Sequence, residues 1–234
     1  MMQRMVYAAR RRAERVSRGE VEKGDKGVIL IETAMCVTFL MGLLVATFEL
    51  GMGWRTSITN SNSARAGARV AASQGKGYQA DYSALLGISA SLSSVSRATI
   101  NRVVIFKATS GSTTVPAACL ASAALPSTIT TPGGVSGSCN VYSAAQVAGV
   151  AAGTITAASF GSGASPYTVP AACKTTALDK NWCPYSRSND QAAGLDFVGV
   201  YVQISTLTYT KMFGSSFTIT DSEIMQVEPS ATGS

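Results

Sequence analysis

The stretch Lys26-Gly27-Val28-Ile29-Leu30-Ile31-Glu32 joins a basic, polar leader to an apolar run, and the run carries an acid five residues after the glycine. From Val28 to Trp54 the chain reads VILIETAMCVTFLMGLLVATFELGMGW. As a helix rising about 1.5 Å per residue, this segment is long enough to cross a hydrocarbon core of about 30 Å. Glu32 and Glu49 are its only strongly ionising side chains. Glu32 lies about one turn from the near end and Glu49 close to the far end, where a carboxylate can reach the interface, so the pair brackets the span. Upstream, Arg10, Arg11, Arg12, Arg15, Arg18, Lys23 and Lys26 outnumber Glu14, Glu20, Glu22 and Asp25. That excess predicts a cytoplasmic leader, with everything after the span on the outer side of a single-pass membrane protein.

A secretory signal has a shorter apolar core and a small-residue cleavage site beyond it. Here the core is too long and no Ala-x-Ala follows. Cleavage on the cytoplasmic side, after Gly27, leaves Val28 as a new amino terminus and Glu32 as the fifth residue of the product. Gly19 and Gly24 are poorer candidates, because neither is followed by both an uninterrupted apolar run and a glutamate in fifth place. A freshly made α-amine is positively charged, and in a packed helical bundle the carboxylate of a neighbouring subunit is its natural partner at low dielectric. Glu32 is therefore the candidate for setting the register of one helix against the next.

These residues resemble the type IV pilin superfamily and, within it, the TadE-like minor pseudopilins of tight-adherence pilus systems. The resemblance covers the leader, the span with Glu32 and Phe48-Glu49, the stretch Asn60–Ala72 (NSNSARAGARVAA) and the tail Phe217-Thr-Ile-Thr-Asp-Ser-Glu-Ile-Met-Gln-Val-Glu228-Pro229. Thr33 follows Glu32 where the major tight-adherence pilins carry tyrosine, which points to a minor component. The resemblance implies processing by prepilin peptidase between Gly27 and Val28. It also implies assembly through Glu32 and Glu49 with other pilin or pseudopilin subunits on an inner-membrane platform.

Beyond Trp54 the helix is expected to continue to about residue 73. Residues 1–27 are then a leader, 28–54 the span, 55–73 an amphipathic continuation, and 74–234 an outer α/β domain. Ala64, Gly67 or Ala68, and Ala71 or Ala72 recur at helical spacing and permit close approach of another element, either a neighbouring subunit or the protein's own domain. Gln74-Gly75-Lys76-Gly77 reads as a stop. About 160 residues follow, enough for one core. Asp81–Arg97 has the pattern of a short helix. Ile100–Phe106, Phe197–Ile204 and Ser216–Val227 read as strands. The expected fold is α+β and pilin-like: a long N-terminal helix packed on a small antiparallel sheet, with a disulfide-pinned loop region. That region is 108–173, which holds no charged residue.

Cys119, Cys139, Cys173 and Cys183 all fall in the outer portion, an even number in an oxidising compartment, while Cys36 lies in the span. Val115-Pro-Ala-Ala-Cys119 recurs as Val169-Pro-Ala-Ala-Cys173, and each is followed by a second cysteine with Tyr-Ser close by, in Cys139-Asn-Val-Tyr-Ser143 and Cys183-Pro-Tyr-Ser186. This echo predicts Cys119–Cys139 and Cys173–Cys183 bridges.

Zinc is disfavoured by the wide cysteine spacing and by the lack of histidine. The missing histidine also rules out Ser-His-Asp and Cys-His catalysis, and no Gly-rich phosphate loop follows a strand. The net charge of +6 sits largely in the leader, so nucleic acid is not an expected partner. No cofactor, metal or small-molecule substrate is expected, and the expected role is structural. Two other readings are an unprocessed, single-pass surface-binding module and a cell-wall enzyme using Asp190 or Asp196. Trp182 reads as a core anchor, and Asp179–Trp182 and Arg187–Asp190 read as polar loops.

Overall fold

The computed structural model describes residues 25–161, 174–211 and 214–229. Its first element, α1 (Asp25–Gln74), is an unbroken helix of 50 residues. The chain divides between Leu50 and Gly51 into two compact units, and α1 contributes its first half to one and its second half to the other. The helix stops where the glycines predict: Gly75 takes φ +50° and donates its N–H back to Ala72 O at 3.2 Å.

In the second unit, α2 (Ala80–Leu92) is followed by β1 (Ala98–Ala108), the short α3 (Ala117–Leu120), β2 (Gly133–Val135), β3 (Cys139–Ser143), α4 (Ala144–Ala151), β4 (Phe197–Leu207) and β5 (Ser216–Gln226). The strands form one antiparallel sheet in the order β2-β3-β1-β4-β5. β1 is central, and its run Val103-Val104-Ile105-Phe106 is buried on both faces, which is why it carries no polar alternation.

One face takes the helices. Val103 and Ile105 of β1 and Val198, Val200, Val202 and Ile204 of β4 pack with Ala64, Ala68 and Ala71 of α1, Leu85 and Ile88 of α2, and Val147 and Val150 of α4. The small-residue stripe is therefore occupied within the chain. A Cβ on Gly67 would stand 2.7 Å from Ile88, so that position has no room for a side chain unless Ile88 moves. The other face holds Val104, Phe106 and Val141 under the segment that carries Cys119 and Ala124. Phe106 lies over its cross-strand neighbour Gly199, where a Cβ would come within 2.3 Å of the ring.

The structure revises the expected elements in three places. The helix read over Asp81–Arg97 ends at Leu92, because the Ser93 and Ser94 hydroxyls turn back to Ala90 O and Ser91 O. The uncharged segment is not all loop, since β2, β3 and α4 are built inside it. Ser143 and Gln146 cap α4 reciprocally: the Ser143 hydroxyl accepts from Gln146 N, and Gln146 Oε1 accepts from Ser143 N. The two Tyr-Ser echoes also differ. Cys139–Ser143 is a strand, whereas Pro184-Tyr185-Ser186 is a 3-10 turn, because proline at its first position fixes φ and removes a ladder donor.

Candidate functional site: the N-terminal helix and the domain it enters

The first half of α1 presents large apolar side chains to its surroundings on all sides. Val28 is 64% exposed and Leu30 71%, and Met35, Phe39, Leu40, Leu44 and Phe48 are exposed with them. The best window has a mean hydropathy of 2.4, with none of it buried. The threonine hydroxyls inside the run are satisfied within the helix: Thr33 donates to Ile29 O at 2.7 Å, Thr38 to Ala34 O at 2.8 Å, and Thr47 to Leu44 O at 2.9 Å. That closure suits hydrocarbon, where no water completes an open hydrogen bond.

Gly27 and Val28 lie in the first turns of this helix and are exposed. A Cβ on Gly27 would meet nothing within 4 Å. Glu32 is exposed, one turn further on. Glu49 differs: it is 2% exposed while Phe48 and Leu50 on either side are exposed. The two acids that bracket the span therefore sit in unlike surroundings.

In the outer domain Cys119 and Cys139 form a disulfide, with sulfurs 2.00 Å apart. It ties α3 to the start of β3 and so holds the cover over the second face of the sheet. Cys183 is also disulfide-bonded; its expected partner, Cys173, lies outside the described residues. Cys36 is a free, exposed thiol. The carboxylates considered for catalysis serve the loop around them. Asp190 accepts from Ala192 N at 2.9 Å, and Asp196 accepts from Ser188 N at 2.8 Å while pairing with Lys107 at 3.0 Å.

The largest departure from the sequence reading concerns the two segments read as polar loops. Asp179 and Arg187 are fully buried, with Asp81 of α2. Arg187 forms an ion pair with Asp81, and its guanidinium lies 4.3 Å over the Trp182 ring. Asp81 also accepts from Asn140 and from Tyr142, each at 2.8 Å. Asn140 further exchanges two 2.8 Å hydrogen bonds with the backbone of Trp182, which fixes the segment from Asp179 onto β3. Asp179 accepts from Gly161 N at 2.8 Å. Burial, reinforced by the Asp81 charge, pushes the Asp179 carboxyl up to about 7. Burial together with the charge of Asp81 also raises the Tyr142 phenol. Trp182 is a core residue, as its size predicts.

Fold and site together define an α+β protein of pilin-like architecture, with a long N-terminal helix whose first half carries its apolar side chains exposed. The particular likeness is to TadE: residues 27–69 match the family model described as TadE-like protein. The matched segment begins at Gly27 and ends inside the small-residue stripe. No curated protein and no solved structure matches the chain.

Proposed function

We propose that this protein is a minor pseudopilin of a tight-adherence pilus or secretion machine, made as a single-pass membrane precursor and cut by prepilin peptidase after Gly27. The observation that carries this reading is the exposed apolar run, headed by Gly27 and carrying Glu32, within a segment matched by the TadE-like family. After cleavage, Glu32 of one subunit would hold the new α-amine of a neighbour, and the leader would remain on the cytoplasmic side. The second half of α1 supports a division of labour. Gly67 is covered by Ile88 and Val200, and Ala64, Ala68 and Ala71 lie in the domain core, which leaves the first half for subunit packing. The outer domain would then cap, prime or decorate the filament.

Substitution in cells tests this. Gly27→Ala should leave the leader attached, and Glu32→Ala should leave processing intact but reduce co-purification of the mature protein with other pilin subunits. Full tolerance of both would assign the protein to the unprocessed anchored modules instead.

A further inference from the structure

The segment 177–187 has little regular structure, two 3-10 turns at Lys180–Trp182 and Pro184–Ser186, yet it is fastened to the domain along its length. Leu178 N donates to Ser159 O at 2.9 Å, and Leu178 and Trp182 enter the core. Trp182 N donates to Asn140 Oδ1 of β3, and Trp182 O accepts from Asn140 Nδ2. Asn181 Nδ2 donates to Gly133 O of the edge strand β2 at 2.9 Å, and Gly137 N, in the turn from β2 to β3, donates to Asn181 O at 2.6 Å. The segment therefore lies against the β2 edge of the sheet. Cys183, which is disulfide-bonded, keeps it tethered.

Beneath this segment one buried guanidinium serves two buried carboxyls, and it serves them unequally. Both oxygens of Asp81 are engaged: Oδ1 accepts from Arg187 Nη2, and Oδ2 accepts from Asn140 and Tyr142. Asp179 Oδ1 accepts from Gly161 N, but its Oδ2 is buried with no hydrogen-bond partner. Arg187 Nε and Nη1 have none either, so the cation is committed through Nη2 to Asp81 and to Trp182 O. The charged and titratable groups that act on Asp179 among the described residues are Asp81 from α2, Arg187 from its own segment and Tyr142 from β3. Its neighbour Lys180 is exposed, and α4 carries no charge. A buried carboxyl with an unfilled oxygen, in one cluster with a carboxylate that already holds the cation, is more stable with its proton.

We propose that 177–187 is a proton-gated strap, which lies closed against β2 and β3 while Asp179 keeps its proton and opens when Asp179 ionises, uncovering Trp182 and the β2 edge. In the open strap Asp179 meets water and titrates at its ordinary value of 3.8, whereas in the closed strap it is raised to about 7. Closure is therefore fully favoured below about pH 4, weakens as pH rises toward about 7, and is constant above that. An uncovered sheet edge and an exposed indole are features that pair with another chain, so the proton on Asp179 controls whether they are available. The strap is a property of the outer unit and does not depend on the membrane reading.

The test is hydrogen exchange of the full chain in detergent micelles, read by mass spectrometry on peptides covering 177–187 and β4, with each rate divided by its intrinsic value at that pH. Low urea separates local from global opening, because a local opening exposes little surface. The expected result is a strap less protected than β4 at every pH and nearly insensitive to low urea. Its protection should fall by up to about ten-fold per pH unit between about 4 and 7 and then level off. Asp179→Asn should remove that fall. A second readout needs no variant: the Asp179 carboxyl-carbon resonance of the wild-type chain should titrate near pH 7. Protection of 177–187 that ignores pH, a fall that persists in Asp179→Asn, or a resonance that titrates near pH 4 would each overturn the proton gate. Protection of 177–187 that matches β4 and falls with it in urea would overturn the strap, since the pH effect would then belong to global unfolding.

Discussion

The two halves of α1 are one continuous helix with opposite relations to the rest of the chain. Before Leu50 the large apolar side chains are exposed although Glu49 is buried, and the glycines Gly27 and Gly42 have open space around them. From Gly51 onward the face that meets the sheet is built of Ala64, Ala68, Ala71 and Gly67, and it is buried. Small residues here let a helix backbone approach a sheet closely, whereas the large apolar residues of the first half match an environment that is itself apolar. The contrast teaches that hydrophobicity and interior position separate in this chain: the more hydrophobic half lies outside the domain core.

The contrast can be broken from the domain side most forcefully at Arg187. Arg187→Ala leaves Asp81 and Asp179 buried without their cation and should cost about 3–5 kcal/mol, read as lost resistance to urea of the full chain in detergent micelles. The span should stay helical by circular dichroism. Next is the Cys119–Cys139 bridge, which spans 20 residues of sequence. Replacing both cysteines by alanine should cost about 3 kcal/mol on the chain-entropy account, again read as urea resistance in the outer domain.

A matched pair of glycine substitutions then compares the two halves directly. Gly67→Val should destabilise by about 1–3 kcal/mol because its new side chain meets Ile88, while Gly42→Val should leave thermal unfolding unchanged. The last expected effect, modest per pH unit, is a pH dependence. Asp179 is raised from 3.8 to about 7, so the folded state binds more protons than the unfolded state across that window. Stability contributed by the protonated group is full below about pH 4 and is lost as pH rises through about 7, with a slope of at most about 1.4 kcal/mol per unit. Asp179→Asn should flatten that slope in urea titrations between these values.

Much of this architecture is legible in the sequence wherever a physical period repeats. The long helix, its glycine stop and the three long strands each announce themselves through periodicity or punctuation. β3 does not, because Cys139, Asn140, Val141 and Tyr142 are all buried, so no polar alternation marks it. α4 carries a readable signal, the Ser143-Ala-Ala-Gln146 capping box, hidden in an uncharged stretch that invites a loop reading. The buried cluster has no local signature at all. Asp81 and Arg187 stand 106 residues apart, and only the fold brings them together. Arg187-Ser188-Asn189-Asp190 looks solvated from its composition, yet its first residue lies in the core with Trp182 against its guanidinium. In the N-terminal half the position is reversed: Gly27, Val28 and Glu32 are legible as a motif, while the structure contributes their exposure.

The central claim is that the exposed half of α1 is a membrane helix released from its leader after Gly27, and intact-mass analysis of the protein recovered from its native membrane tests it most directly. The account predicts a mature chain beginning at Val28, and a Gly27→Ala variant that keeps its leader with its fold undisturbed, since the added methyl meets nothing within 4 Å. A leader retained by both proteins would contradict it.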